Sequence, residues 1–123
     1  MANELVITGL NIAFTKVNSP SVNLSPASVS ITVTGALVMD NVQAVSTVAA
    51  AIVMGGVTSG GVWFMQNMSV TNSVGIRATA GAVDLVQMQA GEWACFRSSI
   101  TATAPQAIAY VTTCNVRMLR FDR

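Results

Sequence analysis

The chain of 123 residues contains no histidine. That removes the side chain that titrates near neutrality, the commonest metal ligand and the usual partner of a catalytic Ser or Cys. Charge is scarce as well: six basic and five acidic residues make up 9% of the chain, where about 25% is usual. With a net charge of +1 the chain has too weak a field to displace counterions from many phosphates, so no nucleic-acid partner is expected. Five of the six basic residues are arginines, Arg77, Arg97, Arg117, Arg120 and Arg123, which reads as ion pairs and interface rims, where a planar fork is useful. Such a surface cannot be covered with charges in the ordinary way, so an oligomer or a component of a larger assembly is expected.

Cysteine is limited to Cys95 and Cys114, without CxxC spacing; both read as buried, inert, reduced thiols. No charge falls between Asp40 and Arg77, but polar residues and paired glycines interrupt that stretch, and its purest run, 48–57, is about half of what a bilayer needs. No membrane partner is expected. The first residues lack a basic segment followed by an apolar block, so the expectation is a protein made and kept in a cytoplasm.

What is present is alternation. In Ser28-Val29-Ser30-Ile31-Thr32-Val33-Thr34, apolar and hydroxyl residues take opposite faces, and Val74, Ile76 and Ala78 alternate with Gly75, Arg77 and Thr79. A period of two, rather than 3.6, predicts an all-β chain. The apolar phase changes after Gly9, from Leu5 and Ile7 to Ile12 and Phe14, and again from Val116 and Met118 to Leu119 and Phe121, which predicts bulges or bends. Val62-Trp63-Phe64-Met65 is apolar on both faces and predicts a central strand. Turn signals, including Asp40-Asn41, Gly55-Gly56, Gly81 and Ala90-Gly91, divide the chain into eight or nine strands near 4–16, 28–39, 42–48, 61–68, 73–79, 83–89, 93–98, 107–112 and 115–121. Residues 48–54, rich in alanine, read as either strand or a short helical turn. One domain spans residues 1–123. The polar stretch 18–25 sets off residues 1–16 as an N-terminal arm or swapped strand, with Leu5, Ile7, Ile12 and Phe14 as its candidate interface.

No constellation of catalytic residues stands out. Glu4, Asp40, Asp84, Glu92 and Asp122 are dispersed, no glycine spacing fits a phosphate, and no enzyme activity, cofactor or metal is expected. Gly91-Glu92, followed by Trp93, Cys95, Phe96 and Arg97, reads as a turn in which glycine supplies backbone freedom and the acid accepts turn amides or pairs with an arginine. Asn67 and Asn72 flank a polar link between strands and read as side chains that fasten a turn, or as sugar-reading loop residues. Among the seven methionines, Met65, Met68 and Met88 near strand ends are candidates for a subunit interface.

About 80 residues from Gln43 onwards carry a series of pieces: Gln43 with Thr47, the strand Val62 to Asn67, Thr71-Asn72-Ser73-Val74, Met88-Gln89-Ala90-Gly91-Glu92, Phe96-Arg97, Ala109-Tyr110 and a closing strand to Asp122. In this the chain resembles small β-sandwich virion proteins of tailed bacteriophages, which include head decoration or cement proteins and minor head and tail components. It departs from them in having Met88 where leucine is usual, and in lacking acids after Thr47. The resemblance implies an antiparallel β-sandwich of jelly-roll type. It also implies a virion structural protein, assembled in the host cytoplasm, that binds the major capsid protein and stiffens the shell. Asn67, Thr71, Asn72, Gly91, Glu92 and Arg97 would be its structural turn motif. A homotrimer is expected, because a three-fold ring engages three equivalent shell surfaces at once. The alternative is a tail or fibre module binding a cell-surface glycan, for which Trp63, Trp93 and Tyr110 are the available aromatics.

Overall fold

Alternating sequence becomes strand throughout the computed structural model, which describes residues 3–7, 12–14, 22–24, 29–33, 38–57, 61–98 and 104–122 and, from residue 38 to residue 121, their side chains. Among the described residues there are twelve strands and no helix, hence no helix long and apolar enough to cross a membrane. The chain divides into two compact units, Met1–Thr34 and Gly35–Arg123.

The N-terminal unit holds β1 (Asn3–Ile7), β2 (Ile12–Phe14), β3 (Val22–Leu24) and β4 (Val29–Val33). β1 pairs with β4 and β2 with β3, both antiparallel. Ile7 pairs with Val29 and Ile12 with Leu24, so equal lengths of chain separate the two ladders on either side and they share one hairpin register. Leu5 and Ile7 therefore stand opposite Ile31 and Val29, while Ile12 and Phe14 stand opposite Leu24 and Val22. The side chains of these candidate interface residues, and the expected arm boundary near Lys16, lie outside what is described.

The C-terminal unit holds β5 (Val38–Val45), β6 (Ala50–Ala51), β7 (Gly61–Asn67), β8 (Val74–Arg77), β9 (Asp84–Met88), β10 (Trp93–Arg97), β11 (Gln106–Ala109) and β12 (Cys114–Asp122). They form two antiparallel sheets of four strands, ordered β10-β7-β12-β5 and β6-β11-β8-β9. Alternate residues of the first sheet, Met39, Val45, Trp63, Met65, Cys114, Val116 and Met118, share one core with Val74, Ile76, Met88, Ala107 and Ala109 of the second, as in a β-sandwich. Each fully buried Val, Ile or Met contributes about 1.5–3 kcal/mol, so this seam between the sheets is the principal source of stability. The apolar run at Val62 to Met65 lies in β7, flanked by β10 and β12, as its composition predicts.

Several expectations are corrected. Asp40 and Asn41 form no turn but lie within β5, because Asp40 faces outward onto Arg117 and Asn41 falls on the half-buried face. The apolar phase change along β12 is not a bulge: its ladders to β5 and β7 run without a register shift, and a strand between two neighbours can be apolar on both faces. For residues 48–54, whose composition leaves strand and helical turn both open, no expectation is overturned: they supply the two-residue strand β6. The register shift that does occur lies between Ile76 and Arg77, where Leu85 is left unpaired and Asp84 comes opposite Arg77. Met65 and Met88 are core residues, not interface candidates, and Cys95 is exposed because it faces outward on the edge strand β10; only Cys114 is buried.

Two glycines separate close packing from mere flexibility. A Cβ at Gly61 would run into the Phe121 carbonyl on the neighbouring strand, whereas one at Gly81 meets nothing. Gly61→Ala should therefore lower the unfolding free energy in urea by about 1–3 kcal/mol or more, while Gly81→Ala leaves it unchanged or raised by less than about 1 kcal/mol.

Candidate functional site

Four connections, 46–49, 68–73, 89–92 and 110–113, cross between the sheets, and the strand directions place all four at one end of the sandwich. Strands that stop there leave carbonyls and amides without ladder partners, and an asparagine side chain can supply both roles. Asn67, fully buried at the end of β7, does so. Its Nδ2 donates to the carbonyls of Asn72 at 2.7 Å, Gln89 at 3.0 Å and Met88 at 3.3 Å, and its Oδ1 accepts the Ser69 amide at 3.0 Å. Its backbone amide donates to the Glu92 carbonyl, and its carbonyl accepts the Gly91 amide.

Around that carboxamide the loops are tied to each other. Ser69 Oγ accepts the amides of Thr71 and Asn72. Asn72 Nδ2 reaches the Thr112 carbonyl and hydroxyl, and the Thr71 hydroxyl donates to Asn72 Oδ1. Gly91 adopts φ +76°, a left-handed conformation that favours glycine, and the Glu92 carboxylate accepts the Gln89 amide at 2.7 Å. Backbone bonds from Ala109 to Ser46, Tyr110 to Ser73 and Met68 to Asn115 complete the array. Five of the six residues of the expected turn motif thus meet in one place. Arg97 does not join them: it stands exposed at the far end of β10, opposite Val62, with no ion pair among the described residues. The loops so fastened carry Val70 at 90% exposure, Val48 at 73%, Val111 at 69% and a half-exposed Met68.

Charged side chains lie elsewhere. On the outer face of the second sheet Arg77 Nε meets Asp84 Oδ1 at 2.6 Å, and Tyr110 donates to Asp84 and accepts from Arg77. The unpaired Leu85 turns Asp84 to this face, and the carboxylate occupies the space over Gly75 where a Cβ would stand. Burial works to raise the Asp84 pKa, but the hydrogen bonds from Tyr110 and Arg77 and the arginine's charge outweigh it and hold the carboxyl below its ordinary value. On the first sheet Arg117 grips Asp40 through two hydrogen bonds and lowers its pKa. Arg120 is fully buried: its guanidinium lies 4.6 Å from the centre of the Trp63 ring and donates to the Val57 carbonyl at 2.7 Å.

Desolvation, only partial for Cys95 on its edge strand, raises the pKa of both thiols, Cys95 and Cys114, so both are protonated at neutral pH. Among the described residues no three Cys, Asp or Glu side chains are close enough to hold a metal. The arrangement offers a rigid, apolar, hydroxyl-rich end and two outer sheet faces whose described acids are already engaged. No protein-family model, curated protein or solved structure matches the chain.

Sequence reasoning did not find Ser69, Thr112, Arg120 or the Arg77, Asp84 and Tyr110 group. Ser69 had a usable signal, standing two residues after one asparagine and three before another in a polar link. The rest are joined across 26 residues or more, except Arg77 and Asp84, whose pairing requires an unforeseen bulge.

Asn67→Asp would aim an acceptor at three carbonyls, so we expect it to cost about 2–5 kcal/mol in chemical denaturation, against about 1–2 kcal/mol for Asn72→Ala. A carboxyl whose pKa is lower in the folded state stabilises the fold above its unfolded pKa, and that stabilisation is lost as pH falls through the folded value. Stability measured from about pH 5 down to pH 2 should therefore fall less steeply in Asp84→Asn than in the parent.

Proposed function

We propose that the protein is a structural component of a tailed-bacteriophage virion, a head decoration or cement protein that binds the major capsid protein as a homotrimer and stabilises the shell. The observation that carries this reading is the loop end: four crossovers, three tied together by Asn67 and Asn72 and the fourth held through Ser46, presenting Val48, Met68, Val70 and Val111 to solvent with Glu92 as their one charged residue. Exposed apolar groups on loops that are already ordered can dock without the added cost of ordering those loops, and a clustered patch marks an interaction site. Shell symmetry multiplies such contacts, so each one can be weak.

A jelly-roll arrangement is the finer reading of the sandwich. It is supported by nested antiparallel pairs, β5 with β12, β6 with β11, β7 with β10 and β8 with β9, wrapped so that each crossover changes sheet. The glycan-binding reading draws less support. Trp63 is buried, Trp93 stands on the edge of the first sheet, and the Tyr110 hydroxyl is engaged on the second, so the three make no common platform.

Reconstruction of the intact particle by cryo-electron microscopy tests the proposal. Density for this fold on the outer surface of the shell is expected, with the apolar loop end against the capsid subunits, and heads lacking the protein should release DNA at a lower temperature. Density at the tail tip, or heads of unchanged stability, would overturn it.

A further inference from the structure

The geometry points to a second copy of this chain as the partner of the two edges of the first sheet that no described strand pairs, with β5 of one copy pairing antiparallel to β10 of the next in a closed three-membered ring. β5 and β10 are the outermost strands of the order β10-β7-β12-β5. Neither carries a proline, a lysine or a register shift in its pairing with its neighbour, and each has a single outward charge, Asp40 on β5 and Arg97 on β10, of opposite sign. Successive strands of the sheet alternate in direction, so β5 and β10 run opposite ways. A neighbour rotated about an axis along the strands therefore offers its β10 to β5 in the antiparallel sense, and the ladder continues without reversal.

Charge and side-chain phase select the register. Val38, Asp40, Val42 and Ala44 are the outward residues of β5, and Trp93, Cys95 and Arg97 those of β10. Placing Arg97 opposite Asp40 puts Cys95 opposite Val42 and Trp93 opposite Ala44, large against small. The inward residues then fall into phase too, with Phe96 opposite Asn41 and Ala94 opposite Gln43. Arg97 has no ion pair among the described residues, and the Asp40 carboxylate, gripped by Arg117, still has lone pairs for a second arginine. Such an exposed pair contributes little affinity, but it penalises wrong registers and partners. Pairing β5 with β5 in the register that sets Asp40 against Asp40 would oppose two like charges. The copy number of three rests on the shell reading above; the strand pairing does not.

A single substitution tests the register, because its partner is the native Cys95. Val42→Cys, oxidised with copper phenanthroline at mildly alkaline pH, should give intermolecular disulfides that accumulate as dimers and end at trimers on a non-reducing gel. The double variant Val42→Cys with Cys95→Ser should give none. Untreated protein should sediment at three times 12.8 kDa. Arg97→Glu, an exposed change that leaves the monomer folded, should weaken association by about tenfold or more, with the loss shrinking in high salt. Crosslinks that persist without Cys95, or a native monomer at high concentration, would overturn the pairing. A Cys95-dependent ladder running past trimers would overturn the closed ring. If the protein proves absent from heads while the Cys95-dependent trimers form, the shell reading alone fails.

Discussion

The carboxamide of Asn67 is the point on which the C-terminal unit turns. Between the sheets lie methionine, valine and tryptophan surfaces, whose attraction is strong but has little directional preference. Direction comes from a group that can donate two hydrogens and accept on its oxygen at the place where four crossovers leave the ladders. Asn67 is itself the last residue of a first-sheet strand, and it bonds the carbonyls of Met88 and Gln89 at the end of a second-sheet strand, so it fixes one sheet against the other. Aspartate lacks the donor, and glutamine would carry its amide one methylene too far. Buried without those partners, the same group would cost several kcal/mol rather than stabilise.

β7 has a second polar clamp at its other end. Trp63 lies under the Arg120 guanidinium, stacks against Phe96 with ring centroids 6.3 Å apart, and donates its indole hydrogen to Ser98, whose hydroxyl also accepts the Gly61 amide. Arginine suits this place because its weakly hydrated plane can lie on an indole while its edge still donates, here to Val57. Met65 and Met118, paired across β7 and β12, fill the stretch between the clamps. The strand is thus polar-locked at both ends and apolar through its middle, which limits sliding of one sheet over the other.

How much of this can be read from the sequence depends on how far apart the interacting residues lie. Period-two alternation exposes strand faces directly, which is why the buried Val74 and Ile76 and the central position of Val62 to Met65 are legible. Turn chemistry is local too, so Gly91 and the pair Asn67 and Asn72 stand out by type and spacing. Asp40-Asn41 misleads because the same residue types that favour turns also tolerate an outward strand position when a cross-strand arginine is supplied, and Arg117 is 77 residues away. The bulge at Arg77 is invisible because nothing in the local pattern marks Leu85 as the residue to be skipped. Arg120 reads as a surface residue by type, and only the tertiary arrangement brings Trp63 and Val57 to it.

Scarcity of charge connects the interior with the surface. Asp84 and Asp40 are held by arginines, Glu92 by a turn amide, and Arg120 lies in the core. Apart from Arg97 and the half-exposed Asp40 and Arg117 pair, what the described surface of the C-terminal unit then offers to solvent is largely apolar side chains and hydroxyl groups. The chain's only lysine, Lys16, belongs to the N-terminal unit, so none is available to interrupt the long, regular edge at β5. A sheet edge so unguarded is a template for further strands, and left open it would lead to aggregation. Guarding it with more charge than Asp40 alone would have been the ordinary solution, but it would also have placed desolvation costs in any face meant for assembly. Closing the edges on copies of the same chain, as proposed above, would remove the hazard without adding charge, so scarcity of charge and a symmetric assembly would then answer one physical requirement of this sandwich.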